Sequence, residues 1–305
     1  MEKIKLLLDT DLGCDIDDCF AIGYALKQDK FELMGVTTNG DWAHKRAMWA
    51  DVLLHQADMA HVPVHAGAQR TLLGGKMARI LDWQLQQLDK YPHREIEDKN
   101  TAIEFMRKTI EAHPHEITLA CTGYLTNAAL LFAAYPHIPA LLSGMTIMGG
   151  RYADNEFCDL KKWGKNEHNI ISDPYSAHIV FSAPVPEIRV VGVEMTCQYH
   201  WTRDEAIRHA EQPGHMQPVA DALALTMHPG VDPVWFHDSM ALMMLADTEG
   251  MTIERGTVAV EYKDPDNMGA TVFTPDENGN ILLLTGYSTD IFFRKYCETV
   301  GMTND

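Results

Sequence analysis

Positive charge is scarce in this chain. Against 43 Asp and Glu stand only 25 Lys and Arg, a formal net charge of −18. Phosphate-rich partners need clustered Lys and Arg, so nucleic acid and anionic membrane surfaces are not expected partners, and neutral or cationic small molecules suit the chain better. Cysteine is sparse and unpatterned. Cys14, Cys19, Cys121, Cys158, Cys197 and Cys297 form no CxxC pair, which removes zinc-ribbon and thioredoxin-type readings and fits a reducing compartment. There is no Pro/Gly/Ser-rich linker, low-complexity tract or internal repeat. The opening MEKIKLLLDTD returns to charge too soon for a signal peptide or a membrane span. With a hydrophobic fraction of 46%, the expectation is an ordinary globular protein, one domain over residues 1–305, in the cytoplasm.

What is present alternates. IKLLLD (4–9) reads as a buried strand and DDCFAIGYALKQ (17–28) as a helix. FELMGVTTNGD (31–41) reads as a strand, and Asp41 to about His55 as a helix. A short strand over HVPVHAG (61–67), a helix over 100–116, a strand over ITLACTG (117–123) and a helix over 125–136 follow. Strands over 142–150 and 188–196 bracket a helix over 172–183, and TVAVEYK (257–263) and ILLLTG (281–286) look like added strands. This order predicts an α/β fold with a mostly parallel, Rossmann-like central sheet flanked by helices. Ligands in such folds bind beyond the carboxyl ends of the strands. The expected strand ends, at Asp9–Asp18, Asn39–Asp41, Thr122–Gly123, Met148–Gly150 and Glu194–Thr196, are polar, small or acidic.

The stretch LLLDTDLGCDIDDCF places Asp9, Asp11, Asp15, Asp17 and Asp18 within ten positions. Carboxylates that close repel one another. They serve either as a solvated turn and helix cap or as ligands of a hard divalent cation. An EF-hand loop fails at Cys14 and Phe20, and KDPDNMGATVFTP (263–275) fails at Pro275 and reads instead as a hairpin closed by ENGN (277–280). A phosphatase signature of the DxDx[TV] type fails at Gly13. No dinucleotide fingerprint, P-loop, HExxH or GxSxG occurs.

DTDLGCDIDD resembles the signature of the inosine–uridine preferring nucleoside hydrolase family, DxDxGxDD before an apolar helix. GVTTNGD, VPVHAGAQRTLL, EITLACTGYLTNAALLFAAYP, MTIMGG, NEHNIISDPYSAHIVF, VVGVEMT and FHDSMAL follow in the family's order and span most of the chain. The resemblance implies Ca2+ held by Asp11, Asp18, the Thr122 carbonyl and Asp238, with Asp17 as general base on a metal-bound water. It implies ribose contacts from Asp41, Glu167 and Asn169, with Met148 packing on the sugar, and His237 facing the base as a proton donor. The implied reaction is hydrolysis of a ribonucleoside, a small-molecule substrate, to ribose and free base. The family's dimers and tetramers imply a homo-oligomer. Carboxylates around the sugar suit the oxocarbenium-like charge that develops when the glycosidic bond breaks.

Several features depart from the family pattern. GCDIDD is two residues longer than GxDD. Aligned from the helix, Asp17 is the base; aligned from Gly13, Asp15 is the base and Ile16 falls at a ligand position. The turn after GVTT is one residue shorter and ends in Asp41. EHN replaces the commoner EFN, with His168 expected to pack or face solvent. Within 155–165, Asn155 is the candidate for a further ribose contact. The loop over 74–83 lacks the His-Gly-rich pattern of some members, which leaves the preferred base open. Each residue also has a structural role open to it. Glu167 and Asn169 suit a helix cap, Met148 a core position and His237 an ordinary helix position. Trp42, Trp83, Trp163, Trp201 and Trp235 suit packing as well as base stacking. Three rivals remain: hydrolysis of another N-ribosyl compound, non-catalytic nucleoside binding, and a Mg2+ phosphatase. The last would need a basic residue near the aspartates, and the nearest in sequence after them is Lys27.

Overall fold

The computed structural model describes residues 3–155, 157–158, 166–226 and 232–303. Strand β1 (Ile4–Thr10) is the apolar run that opens the chain. Leu6 and Leu8 pack into one helical layer and Leu7 into the other, the two-faced burial that a parallel sheet requires. β2 (Phe31–Thr38), β3 (Val64–Ala66), β4 (Ile117–Cys121), β5 (Gly144–Met148) and β6 (Ile188–Val191) run parallel with it. A two-residue pair, β7 (His200–Trp201) and β8 (Val234–Trp235), stands apart. β9 (Thr252–Val260), β10 (Thr271–Pro275) and β11 (Ile281–Gly286) complete a nine-stranded sheet in the order β10-β9-β11-β6-β5-β4-β1-β2-β3. The expected mostly parallel sheet is therefore present, with antiparallel pairing at its C-terminal edge. No helix among the described residues is long and apolar enough to cross a membrane.

Helices cover both faces. Asp17–Lys27, Ala43–Gln56 and His237–Ala246 contribute to one core, and Ala102–Ala112, Thr126–Ala134 and Pro174–Phe181 to the other.

Two expectations are corrected. The strand read over 188–196 ends at Val191, and Val193–Thr196 forms a helical turn. Gly149 N donates to Val191 O at 3.0 Å, and Val193 N then turns to Gly150 O at 2.9 Å. The sheet edge has been reached, and β-branched residues on both sides of Gly192 conceal that from the sequence. The hairpin expected to close at ENGN is the second correction. That turn joins β10 to β11, which do not pair; both pair with β9, one on each side.

Sheet order positions the site. β1 lies between β2 and β4, so successive strands are added first on one side of β1 and then on the other. At this reversal the helices that follow β1 and β4 go to opposite faces of the sheet, and the crevice at the carboxyl edge lies where they part. The acidic loop follows β1, and Thr122–Tyr124 follows β4.

Candidate active site

The two strand ends are tied together: Thr122 N donates to Asp9 O at 2.9 Å. Asp9 itself is enclosed. Its carboxylate accepts from Thr37 Oγ1 at 2.6 Å, Asn127 Nδ2 at 2.8 Å and Asn39 Nδ2 at 2.9 Å. It is thereby committed to bracing the strand ends. Beyond it, Asp11 is buried against Gly123, where a Cβ would sit 2.6 Å from Asp11 Oδ1 and 2.7 Å from its backbone nitrogen. Only glycine allows the two loops to approach so closely.

Asp17 and Asp18 open the helix Asp17–Lys27, and Asp238 lies in the first turn of the helix His237–Ala246. All three are buried, and their carboxylate oxygens lie within 4.8 Å of one another. Thr10 Oγ1 donates to Asp18 Oδ1, and Thr122 Oγ1 reaches the same oxygen at 3.4 Å. Burial, followed by the charges of Asp15, Asp18 and Asp11, holds Asp17 well above the usual carboxylate range. Burial and the Asp11 charge push Asp18 up to about 7, against the Thr10 hydrogen bond. Burial, followed by the Asp17 and Asp18 charges, raises Asp238 strongly, and Asp238 shares a hydrogen bond with Asp18. Three carboxylates in so small a buried space cannot all ionise unaided. An all-oxygen, strongly acidic donor set of this kind fits a hard divalent cation, which would neutralise the trio.

These groups form one end of a cavity of about 610 Å³, within the roughly 300–1,000 Å³ of small-molecule sites. Asp11, Asp15, Asp17, Asp18, Thr122, Met148, Glu167, Asn169, His237 and Asp238 all line it. Sequence positions spread over more than two hundred residues are thus brought together. Asn169 Nδ2 donates to Thr122 O at 3.0 Å and to Met148 O at 3.2 Å. Glu167 accepts from Gly150 N at 2.9 Å, Asn169 N at 2.6 Å and Ile170 N at 3.0 Å, which caps the helix His168–Ser172 and fixes the carboxylate. His237 Nδ1 lies 2.6 Å from Thr196 Oγ1, and burial lowers its pKa to about 4, so the ring is neutral at pH 7.

Two proposed ribose contacts lie elsewhere. Asp41 is half-buried and its backbone forms an isolated parallel β-bridge with Arg79, and Asn155 Nδ2 donates to Glu194 O at 2.8 Å; neither lines the cavity. The short turn after β2 places Trp42 at φ 60, a left-handed conformation unusual for a tryptophan, under the Arg79 guanidinium at 4.0 Å. Trp42, Trp83, Trp201 and Trp235 do not line the cavity, and Trp163 lies outside the described residues.

Residues that the sequence reading missed include two arginines. Arg46 is fully buried behind the acidic loop. It donates to Leu12 O at 2.8 Å and Asp41 O at 3.0 Å, and also to Asp11 O and Ala78 O. Arg151 lines the cavity, with Nη2 2.9 Å from Asp154 Oδ1. Neither is near the aspartates in sequence, so only folding reveals them. Tyr124 was not singled out, and His168, expected to pack or face solvent, is bonded to it at 3.1 Å and lines the cavity. His168 stands where the family pattern has Phe, and that departure was the available signal.

Comparison with known proteins agrees with this geometry. The family model for inosine-uridine preferring nucleoside hydrolase matches residues 6–294. Uridine nucleosidase 1 of Arabidopsis thaliana is 28% identical over 270 residues, covering 84% of this chain and 78% of that protein. The pyrimidine-specific ribonucleoside hydrolase RihA of Shewanella woodyi is 29% identical over 289 residues, covering 88% and 87%. Among solved structures, a plant nucleoside hydrolase, PpNRh1, superposes with a TM-score of 0.78 at 24% identity, over 97% of this chain and 98% of its own. The inosine-uridine preferring nucleoside hydrolase of Bacillus anthracis gives 0.75 at 19% identity, over 98% and 99%. The chain belongs to the inosine-uridine preferring nucleoside hydrolase family and is a hydrolase acting on N-glycosyl compounds.

Proposed function

We propose that the protein hydrolyses the N-glycosidic bond of ribonucleosides in a Ca2+-dependent reaction, releasing ribose and the free base. The observation that carries this reading is the convergence of buried Asp17, Asp18 and Asp238 at one end of a cavity also lined by Glu167, Asn169 and Met148. Asp11, Asp18, Asp238 and the Thr122 carbonyl would hold the ion. Bound there, Ca2+ supplies positive charge that offsets the carboxylates and acidifies a nearby water.

Asp17 takes the proton of the attacking water. Its place in the carboxylate trio supports this role over Asp15, which is only half-buried and accepts from Ile16 N at 2.7 Å. Glu167 and Asn169, both fixed by backbone partners, grip the ribose hydroxyls and hold the anomeric carbon toward the water. The Met148 side chain packs on the sugar face. The surrounding carboxylates stabilise positive charge as the bond to the base breaks. His237 faces the base and, in its protonated form, would pass a proton to the leaving group. Asp41 and Asn155 do not line the cavity, so a ribose contact from either would come from outside its present wall. The free cysteines support a reducing, cytoplasmic setting. A homodimer or homotetramer rests on the family resemblance, and a single domain on the chain's length and uninterrupted composition.

Ribose release from uridine, cytidine, inosine and adenosine tests the reading, with and without a calcium chelator. Uridine comes first because the plant relative is named for it. Release abolished by the chelator and restored by Ca2+ is expected. No release from any nucleoside in excess Ca2+ would sink the proposal and leave another N-ribosyl compound as substrate.

A further inference from the structure

On the helix His168–Ser172, Glu167 and Asn169 turn inward and are buried, whereas His168 and Ile171 are exposed and still line the cavity. His168 and Ile171 are three residues apart, so they share one helix face. They form an exposed ledge in the wall of the cavity that the buried carboxylates also line. Ile171 is 45% exposed, unusual for a large apolar side chain beside a polar site. The ledge is held from outside. A Cβ on Gly269 would lie 2.7 Å from Ile171 Cα, so the two backbones are in close contact, and Asn166 Nδ2 donates to Met268 O at 2.7 Å.

The hydrogen bonding around Tyr124 favours one tautomer of His168. Ala78 N donates to the Tyr124 hydroxyl at 3.1 Å, and Nε2 of His168 lies 3.1 Å from the same oxygen. Tyr124 is fully buried, so its hydroxyl hydrogen cannot go to bulk water, and Nε2 is the acceptor at hand. With the phenol donating to Nε2, the proton that His168 can offer a ligand is on Nδ1. No carboxylate lies within salt-bridge distance of His168 among the described residues, so Nδ1–H is available to a ligand.

We propose that His168 and Ile171 form the base-recognition ledge of this enzyme: Ile171 packs on the ring face, and His168, oriented by Tyr124, donates from Nδ1 to an acceptor atom of the base. Resting on the nucleoside reading above, this makes His168 a specificity-determining residue and Tyr124 a positioning residue. An apolar surface beside a single donor suits a planar heterocycle bearing a carbonyl or ring-nitrogen lone pair. A hydroxymethyl group would leave the Ile171 surface uncovered.

The test measures binding separately from turnover. Uridine, 5′-deoxyuridine and ribose are titrated calorimetrically into Ca2+-loaded Asp17→Asn protein, with and without His168→Phe. Loss of one neutral hydrogen bond predicts about tenfold weaker binding of both uridine and 5′-deoxyuridine, with ribose unchanged. Tyr124→Phe should weaken uridine less, and adding it to His168→Phe should bring no further loss. In ¹⁵N-resolved spectra of the wild type, His168 should show a protonated Nδ1, which a purely structural role would not require. A penalty that disappears with 5′-deoxyuridine would assign the contact to the sugar and overturn the proposal. So would an equal loss for ribose, unchanged uridine affinity, a protonated Nε2, or failure of uridine to bind. If uridine binds with the expected penalty but wild-type protein does not hydrolyse it, the catalytic reading fails and the ledge stands.

Discussion

Arg46 Nη1 donates to the carbonyl oxygen of Leu12 at 2.8 Å, from a side chain wholly enclosed behind the acidic loop. The same guanidinium reaches carbonyls of Asp11, Asp41 and Ala78, so one cation fastens three loops at the rim of the site. Its charge also opposes the burial that raises Asp11. Arg46→Met leaves several buried carbonyls without donors. The expected loss is about 3 kcal/mol of stability, read by urea denaturation. Arg46→Lys should recover part of that loss. Unchanged stability in the Met variant would show that the loops hold themselves.

Asp17→Asn should lower turnover roughly 10²–10⁴-fold, the span of a lost general base, while Asp15→Asn should cost far less. Ribose release at saturating Ca2+ decides between them. Near-normal turnover in Asp17→Asn with collapse in Asp15→Asn would move the base to Asp15.

Gly123→Ala drives a methyl group against Asp11, with 2.6 Å to Oδ1 and 2.7 Å to the main-chain nitrogen. Backbone cannot yield as a flexible side chain would. We expect a stability loss of about 2–3 kcal/mol and weaker Ca2+ binding, measured by chelator competition. Wild-type Ca2+ affinity in this variant would remove Asp11 from the ion's surroundings.

Stability should depend on pH in a direction set by the buried acids. Asp9 and Asp18, ordinarily near 3.8, and Glu194, ordinarily near 4.5, are each pushed up to about 7, mainly by burial. Between those values the folded protein binds more protons than the unfolded chain, so stability falls as pH rises. His215 and His237, lowered by burial from 6.5 to about 4, act oppositely and only below 6.5. In chelator, the melting temperature should therefore fall from about pH 6.5 to 8. Excess Ca2+ should flatten that decline, because the ion replaces protons among the carboxylates. A chelated protein that grows more stable over this interval would contradict the assignment.

Much of this was legible in the sequence, for identifiable reasons. β1 reads as a buried strand because its apolar run has no polar face, and the helix behind Asp17 and Asp18 follows from the apolar residues after them. The motif order pointed to Asp11, Asp17, Asp18, Thr122, Met148, Glu167, Asn169, His237 and Asp238, and all of them line one cavity. Local pattern failed where a strand's end depends on its neighbours. Val191 and Val193 look alike, yet the sheet edge separates them. The ENGN turn is a good turn, but pairing across β9 decides which strands it joins.

Other features were beyond any local reading. Arg46 lies far in sequence from much of what it binds, and Lys27, the nearest basic residue after the aspartates along the chain, does not line the cavity. The Tyr124–His168 bond joins residues 44 positions apart, and Asp41 and Asn155 had suitable chemistry without a place in the cavity wall. Sequence alone determined which chemistry the chain has available and most of the segments that become strands and helices, because composition and periodicity act over a few neighbouring residues. Only the tertiary structure decided which carboxylates meet, what holds them there and which histidines line the cavity, because those outcomes depend on sheet order and on burial shared between distant segments.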